Sequence, residues 1–186
     1  MIILSGILSS TSLLAKSETG YALGADISYV VIGDKFDGFV AGLESTYYIN
    51  EFMMTADFTH YSEWALFTGP AEKVNQLSLL FGRQVGTDKF QIQGQGGYGL
   101  IWGVNRTDEI LEHQFIGNVY ATENFFTTGL ALRLGFKYRP VENLSVGIDI
   151  KSNINEVETT FFPVISVDFL RLGKRKHKNE VTYTKL

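Results

Sequence analysis

The sequence predicts an all-β chain in which eight antiparallel strands run up and down and close into a barrel. Three observations predict it. From residue 20 to 172 the dominant hydrophobic period is two, the period of a strand with one apolar and one polar face. Eight segments keep that period, and many reach about ten residues, longer than the five or six usual in a soluble sandwich. The connections between them alternate, tight at one end and longer at the other, as in barrels that cross a membrane.

Each strand is read from its two faces. In 20–32, Tyr21, Leu23, Ala25, Ile27, Tyr29 and Val31 oppose Ala22, Gly24, Asp26 and Ser28. In 39–49, Phe39, Ala41, Leu43, Tyr47 and Ile49 oppose Gly42, Glu44, Thr46 and Tyr48. In 52–62, Phe52, Met54, Ala56 and Phe58 oppose Thr55, Asp57 and Thr59; in 74–85, Leu77, Leu79, Phe81 and Val85 oppose Gln76, Ser78, Gly82 and Gln84. The fifth strand, 90–104, sets Phe90, Ile92, Tyr98, Leu100, Trp102 and Val104 against Gln91, Gln93, Gln95, Gly97 and Gly99. The sixth, 125–138, alternates from Phe126 to Tyr138 against Arg133 and Lys137; the seventh, 144–152, sets Leu144, Val146, Ile148 and Ile150 against Asp149 and Lys151. The eighth, 161–172, sets Ile165, Val167 and Phe169 against Ser166 and Asp168. Tight turns fall near Asn50, at 86–89 and at 139–143, while 63–73, 104–123 and 153–160 read as longer polar loops.

Composition narrows the class. The chain has 186 residues, 45% hydrophobic and 13% aromatic, with 19 glycines and 3 prolines, a balance that suits strands and one closed core. With no cysteine, disulfides, thiolate metal sites and a cysteine nucleophile are excluded. His60, His113 and His177 are scattered, so no histidine-built zinc site is expected. Up to residue 170 there are 10 basic and 19 acidic residues, a balance of −9, whereas 171–186 carry 6 basic and 1 acidic, +5. An acidic body argues against nucleic acid as a partner. Residues 1–19 read as the remnant of a secretory signal or a disordered N-terminus, 20–172 as the barrel and 173–186 as a basic tail facing the periplasm.

Which face points inward is decided by its chemistry. The polar face is rich in small residues, which suit the narrow lumen of an eight-stranded barrel. Its charges are of both signs, Asp26, Glu44, Asp57, Asp149 and Asp168 with Arg133, Lys137 and Lys151, as an internal ion-pair network requires. Tyr29, Tyr47, Trp102, Tyr138 and Phe169 sit on the apolar face towards strand ends, where lipid–water interfaces place aromatics. A transmembrane barrel with a polar lumen follows. A soluble, lipocalin-like ligand-binding barrel is the alternative with the faces reversed.

With these strands placed, residues 20–172 resemble the small eight-stranded outer-membrane barrels of the OmpA transmembrane domain and OmpX type. The last strand, "VISVDFLRLG", is similar to their aromatic-ended final strand, but a basic tail, "KRKHKNEVTYTKL", follows it. The resemblance implies the outer membrane of a Gram-negative bacterium, lipopolysaccharide and phospholipid as surroundings, no cofactor, and a non-enzymatic structural or partner-docking role. Docking would use loop 104–123, made acidic by Asp108, Glu109, Glu112 and Glu123, or the basic residues of 171–178 (Arg171, Lys174, Arg175, Lys176, Lys178).

Three motifs bear on chemistry. Gly94, Gly96 and Gly99 spell G-x-G-x-x-G, yet the strand continues through them and no helix follows, so nucleotide binding is not expected. "NRT" at 105–107 is a formal glycosylation sequon of chance spacing. Lipid A deacylase barrels carry H-x-S-N, and "IDIKSNINEVE" matches it at Ser152 and Asn153 but has Ile150 in place of the base. "THYSEW" supplies His60, Ser62 and Glu63 with H-x-S spacing on the third strand, where glutamate replaces the asparagine. A hydrolase at the barrel wall is therefore the enzymatic alternative.

Overall fold

The computed structural model describes residues 19–32, 36–63, 72–114, 117–157 and 159–172. The signal-like segment 1–18 and the tail 173–186 lie outside them, as do 64–71 and three shorter gaps. Eight strands follow in chain order: β1 (Thr19–Ile32), β2 (Phe36–Ile49), β3 (Phe52–Glu63), β4 (Lys73–Gly86), β5 (Phe90–Gln114), β6 (Gly117–Val141), β7 (Leu144–Asn155) and β8 (Thr160–Leu172). Each pairs antiparallel with the next, and β1 pairs with β8, so the sheet closes on itself.

The closing ladder runs from Gly20↔Leu172 to Ile27↔Ile165. Closure leaves no open sheet edge around the barrel, the condition for strands to lie in hydrocarbon. Among the described residues no helix is long and apolar enough to cross a membrane. The outward face is apolar all round: Leu43, Leu79, Phe126, Leu134, Ile148 and Ile165 are each more than half exposed. Such a belt is costly in water and matched to lipid. Tyr29, Tyr47, Trp102, Tyr138 and Phe169 all lie on that outer face, exposed. Phe90 packs on Tyr138 at 5.0 Å and Phe52 on Phe81 at 5.9 Å near the tight-turn end.

Tight turns gather at one end. Asn50 turns β2 into β3 with φ 59, a left-handed conformation that asparagine tolerates. Thr87 exchanges backbone and side-chain hydrogen bonds with Phe90 to close the β4–β5 turn. The β6–β7 turn is narrower than the five residues expected, because pairing resumes at Val141↔Leu144 after an irregularity at Tyr138.

The opposite end corrects the sequence reading. Segment 104–123 is not a loop. β5 and β6 are 25-residue strands that pair on past the barrel rim, to Gln114↔Gly117, as a two-stranded arm. Register shifts between Arg106 and Ile110 and between Ile110 and Glu112 break the alternation there, which hides the strands from a period-two reading. The lumen is also less polar than expected. Val40, Tyr61, Phe162 and Val164 form a buried apolar cluster towards the arm end, with Tyr61 and Phe162 stacked at 5.9 Å. Ala22, Tyr48 and Met53 form a second cluster at the turn end.

The glycines of the G-x-G-x-x-G stretch are parts of a wall, not of a phosphate cradle. A Cβ on Gly94 would meet nothing within 4 Å, whereas one on Gly97 would run into the Leu79 carbonyl oxygen. Gly97→Ala is therefore expected to lower unfolding stability by about 1–3 kcal/mol, and Gly94→Ala to change it by less than about 0.5 kcal/mol. The urea midpoint of the folded, heat-modifiable gel band of each variant measures the difference.

Candidate functional site

The lumen holds the charged residues read from the sequence. The buried charged side chains among the described residues are Asp26, Glu44, Asp57, Arg133, Lys137, Asp149, Lys151 and Asp168. Six strands contribute them, and the antiparallel registers set Glu44 across from Asp57 and Arg133 across from Lys151. Arg133 bridges Glu44 and Asp149, the latter at 2.5 Å. Lys137 reaches Asp149 and Asp168, each at 3.0 Å, and donates to Ser166 Oγ at 2.7 Å. Lys151 Nζ lies 2.7 Å from Asp26 and 2.5 Å from Asp57.

Neutral polar groups fill the gaps. Thr59 Oγ1 donates to Asp57 at 3.1 Å, Gln95 Nε2 donates to Thr55 Oγ1 at 2.7 Å, and the Thr46 and Thr55 hydroxyls share a hydrogen bond of 2.8 Å. Gly24 makes room for the carboxyls that converge on β1: a Cβ there would lie 2.6 Å from both Asp168 Oδ1 and Glu44 Cγ. One oxygen each from Asp26, Glu44 and Asp57 falls within 4.8 Å of the others. Lys151 already sits on two of the three, so an ammonium fills the place a cation would take.

This layer lies between the two apolar clusters. Charges buried between apolar side chains hold one another through their paired contacts.

The outer wall carries the other candidates, and the structure separates them. Ile150 and Ser152 are on the outer face of β7, while Asn153 is fully buried in the lumen. Ser152 and Asn153 therefore cannot serve one site. On β3, His60 and Ser62 share the outer face near the arm end, both partly exposed. Glu63 turns away from them: it takes Arg106 Nη2 at 2.5 Å and the Glu72 amide at 3.1 Å. The Arg106 guanidinium also lies 5.3 Å from the centre of the Tyr120 ring, and its amide donates to Glu72 at 3.2 Å. This latch ties the root of the arm to the barrel rim, a role that strand periodicity does not reveal. The partner His60 does have is Asn75 of β4, directly across in register, with Nδ1 and Oδ1 2.8 Å apart.

No protein-family model matches the chain, and no curated protein sequence matches it. Solved structures do. The N-terminal β-barrel domain of Pseudomonas aeruginosa OprF superposes with a TM-score of 0.57 at 12% identity, covering 82% of this chain and 97% of that one. Ail, the attachment invasion locus protein of Yersinia pestis, gives 0.55 at 12% identity over 84% and 99%. Neisserial surface protein A gives 0.50 at 16% identity over 82% and 91%. The chain has the fold of the eight-stranded outer-membrane barrels.

Removing one member of the charge layer leaves the others buried and uncompensated. Lys151→Met is expected to cost about 3–5 kcal/mol, and the addition of Asp26→Asn and Asp57→Asn to recover part of it by discharging the stranded carboxylates. Urea unfolding of the three proteins, followed by heat-modifiable mobility, checks both steps.

Proposed function

We propose that the protein is an integral barrel of the outer membrane of a Gram-negative bacterium, non-enzymatic in its lumen, that steadies the envelope and docks a protein partner through its arm. The observation that carries this reading is the inversion of the barrel: an apolar outer belt around a lumen of paired charges. Lipopolysaccharide and phospholipid are the surroundings that such a belt requires. A diffusion pore is disfavoured, because eight strands leave little lumen and the buried side chains of all of them occupy it.

The arm is the docking element on two grounds. Its β5 edge has no ladder to β4 beyond Val104, and its β6 edge has none to β7 before Gly129, among the described residues. Free strand edges offer rows of amides and carbonyls to an incoming strand. Its exposed Ile110 and Leu111 add apolar contact, while the Arg106 latch fixes its angle to the rim.

A photo-crosslinking residue placed at Leu111 is expected to yield a discrete protein adduct in the native envelope, and one at Leu79 only lipid adducts. Gel analysis and mass spectrometry of the adducts read the outcome. Protein adducts at Leu79 together with none at Leu111 would contradict the reading.

A further inference from the structure

We infer that the lumen contains a proton-binding site: one proton held between the Glu44 and Asp168 carboxyls joins β2 to β8 across β1, at the seam that closes the barrel. Gly24 of β1 stands opposite Glu44 in one register and opposite Asp168 in the other. Lacking a Cβ, it leaves the space above it to those two side chains. The point a Cβ would occupy lies 2.6 Å from Asp168 Oδ1 and 2.8 Å from Glu44 Oε1. The two carboxyls meet there in a hydrogen bond. A carboxylate can only accept, so a hydrogen bond between two carboxyls requires a proton on one of them.

The charges around the pair require the same proton. Arg133 bridges Glu44 and Asp149, and Lys137 bridges Asp149 and Asp168. These side chains form a ring in the order Glu44, Arg133, Asp149, Lys137, Asp168, and the last meets the first. Signs cannot alternate around a ring with an odd number of members. Two like charges must adjoin, and here they adjoin over Gly24. All members of the ring are buried, so water does not screen the repulsion, and two carboxyls in contact hold one proton between them.

The other groups that face the pair leave this joint as it is. Asp26 of β1 and Asp57 of β3 share Lys151 and add negative charge to the lumen. Tyr48 of β2 is buried beside both carboxyls. Ser145 of β7 stands across from Asp168, and Ser166 of β8 accepts from Lys137. Arg139 of β6, half-buried nearer the tight-turn end, donates to Gln91 at 3.4 Å. In the unfolded chain both carboxyls are ionised above about pH 5, where the folded barrel still binds one proton more. Stability is therefore greatest on the acid side. As pH rises the unfolding equilibrium constant grows about ten-fold per unit, until the folded pair also gives up its proton. The seam tightens in acid and loosens in alkali.

The test uses the full chain refolded in vesicles, with heat-modifiable mobility as the check on folding. Asp168→Asn keeps a donor for Glu44 and an acceptor for Lys137 but cannot titrate; Glu44→Gln is the second comparison should the first variant fail to fold. The infrared difference spectrum of wild type minus variant, at about pH 5.5 where free carboxyls are ionised, is expected to show the carbonyl stretch of one protonated carboxylic acid. In urea, the unfolding constant of the wild type relative to the variant is expected to rise about ten-fold per pH unit and then level off. No acid carbonyl band against either variant, a ratio of unfolding constants that does not change with pH, or a wild-type stability that follows sodium concentration and not pH overturns the proposal. The crosslinking result at the arm is independent of all three.

Discussion

The pairing of β1 with β8 is the constraint on which everything else rests. In hydrocarbon an unpaired backbone amide costs several kcal/mol, so a sheet that stays open has no place there. Closure also creates the lumen. Asp26 of β1 meets Lys151 of β7 and, through it, Asp57 of β3, strands that an open sheet would hold far apart. Gly24 of β1 receives carboxyls from both neighbouring strands, Glu44 of β2 and Asp168 of β8. The ion network is thus a consequence of closure as well as a brace for it.

Much of this is legible in the sequence, and the reason is the period of two. A strand with one apolar outer face and one lumen face writes its orientation at every second residue, so the eight buried charges and the outward aromatics can be assigned without coordinates. The apolar clusters that bracket the charge layer are less legible. Val40, Tyr61 and Phe162 sit in phase with the polar residues, and a lumen-facing tyrosine or phenylalanine reads as a lapse in the pattern. The arm is hidden by its own irregularity, since a bulge shifts the phase and makes two paired strands look like a polar loop.

The outer wall shows a different limit. His60 and Ser62 share a face of one strand two positions apart, but the residue that hydrogen-bonds the histidine is fifteen positions away on the next strand. Spacing suggests Glu63 instead, which belongs to the latch with Arg106 and Glu72. Strand register assigns these partners, and no one-dimensional motif contains it. The same register lets β3 do three jobs within a few residues: Tyr61 packs the lumen, His60 pairs with Asn75 on the outer face, and Glu63 holds the arm.

An apolar exterior around a charged lumen is the central claim, and the absence of cysteine from the chain makes it directly measurable. Single cysteines at 77, 79 and 81 on β4 and at 110 and 111 on the arm, each carrying a nitroxide, report their surroundings in vesicles through relaxation by oxygen and by a water-soluble nickel chelate. The account predicts oxygen-dominated relaxation at all three β4 positions and nickel-dominated relaxation at both arm positions. Nickel access at 77, 79 and 81 equal to that on the arm would show an exterior that faces water, and would contradict it.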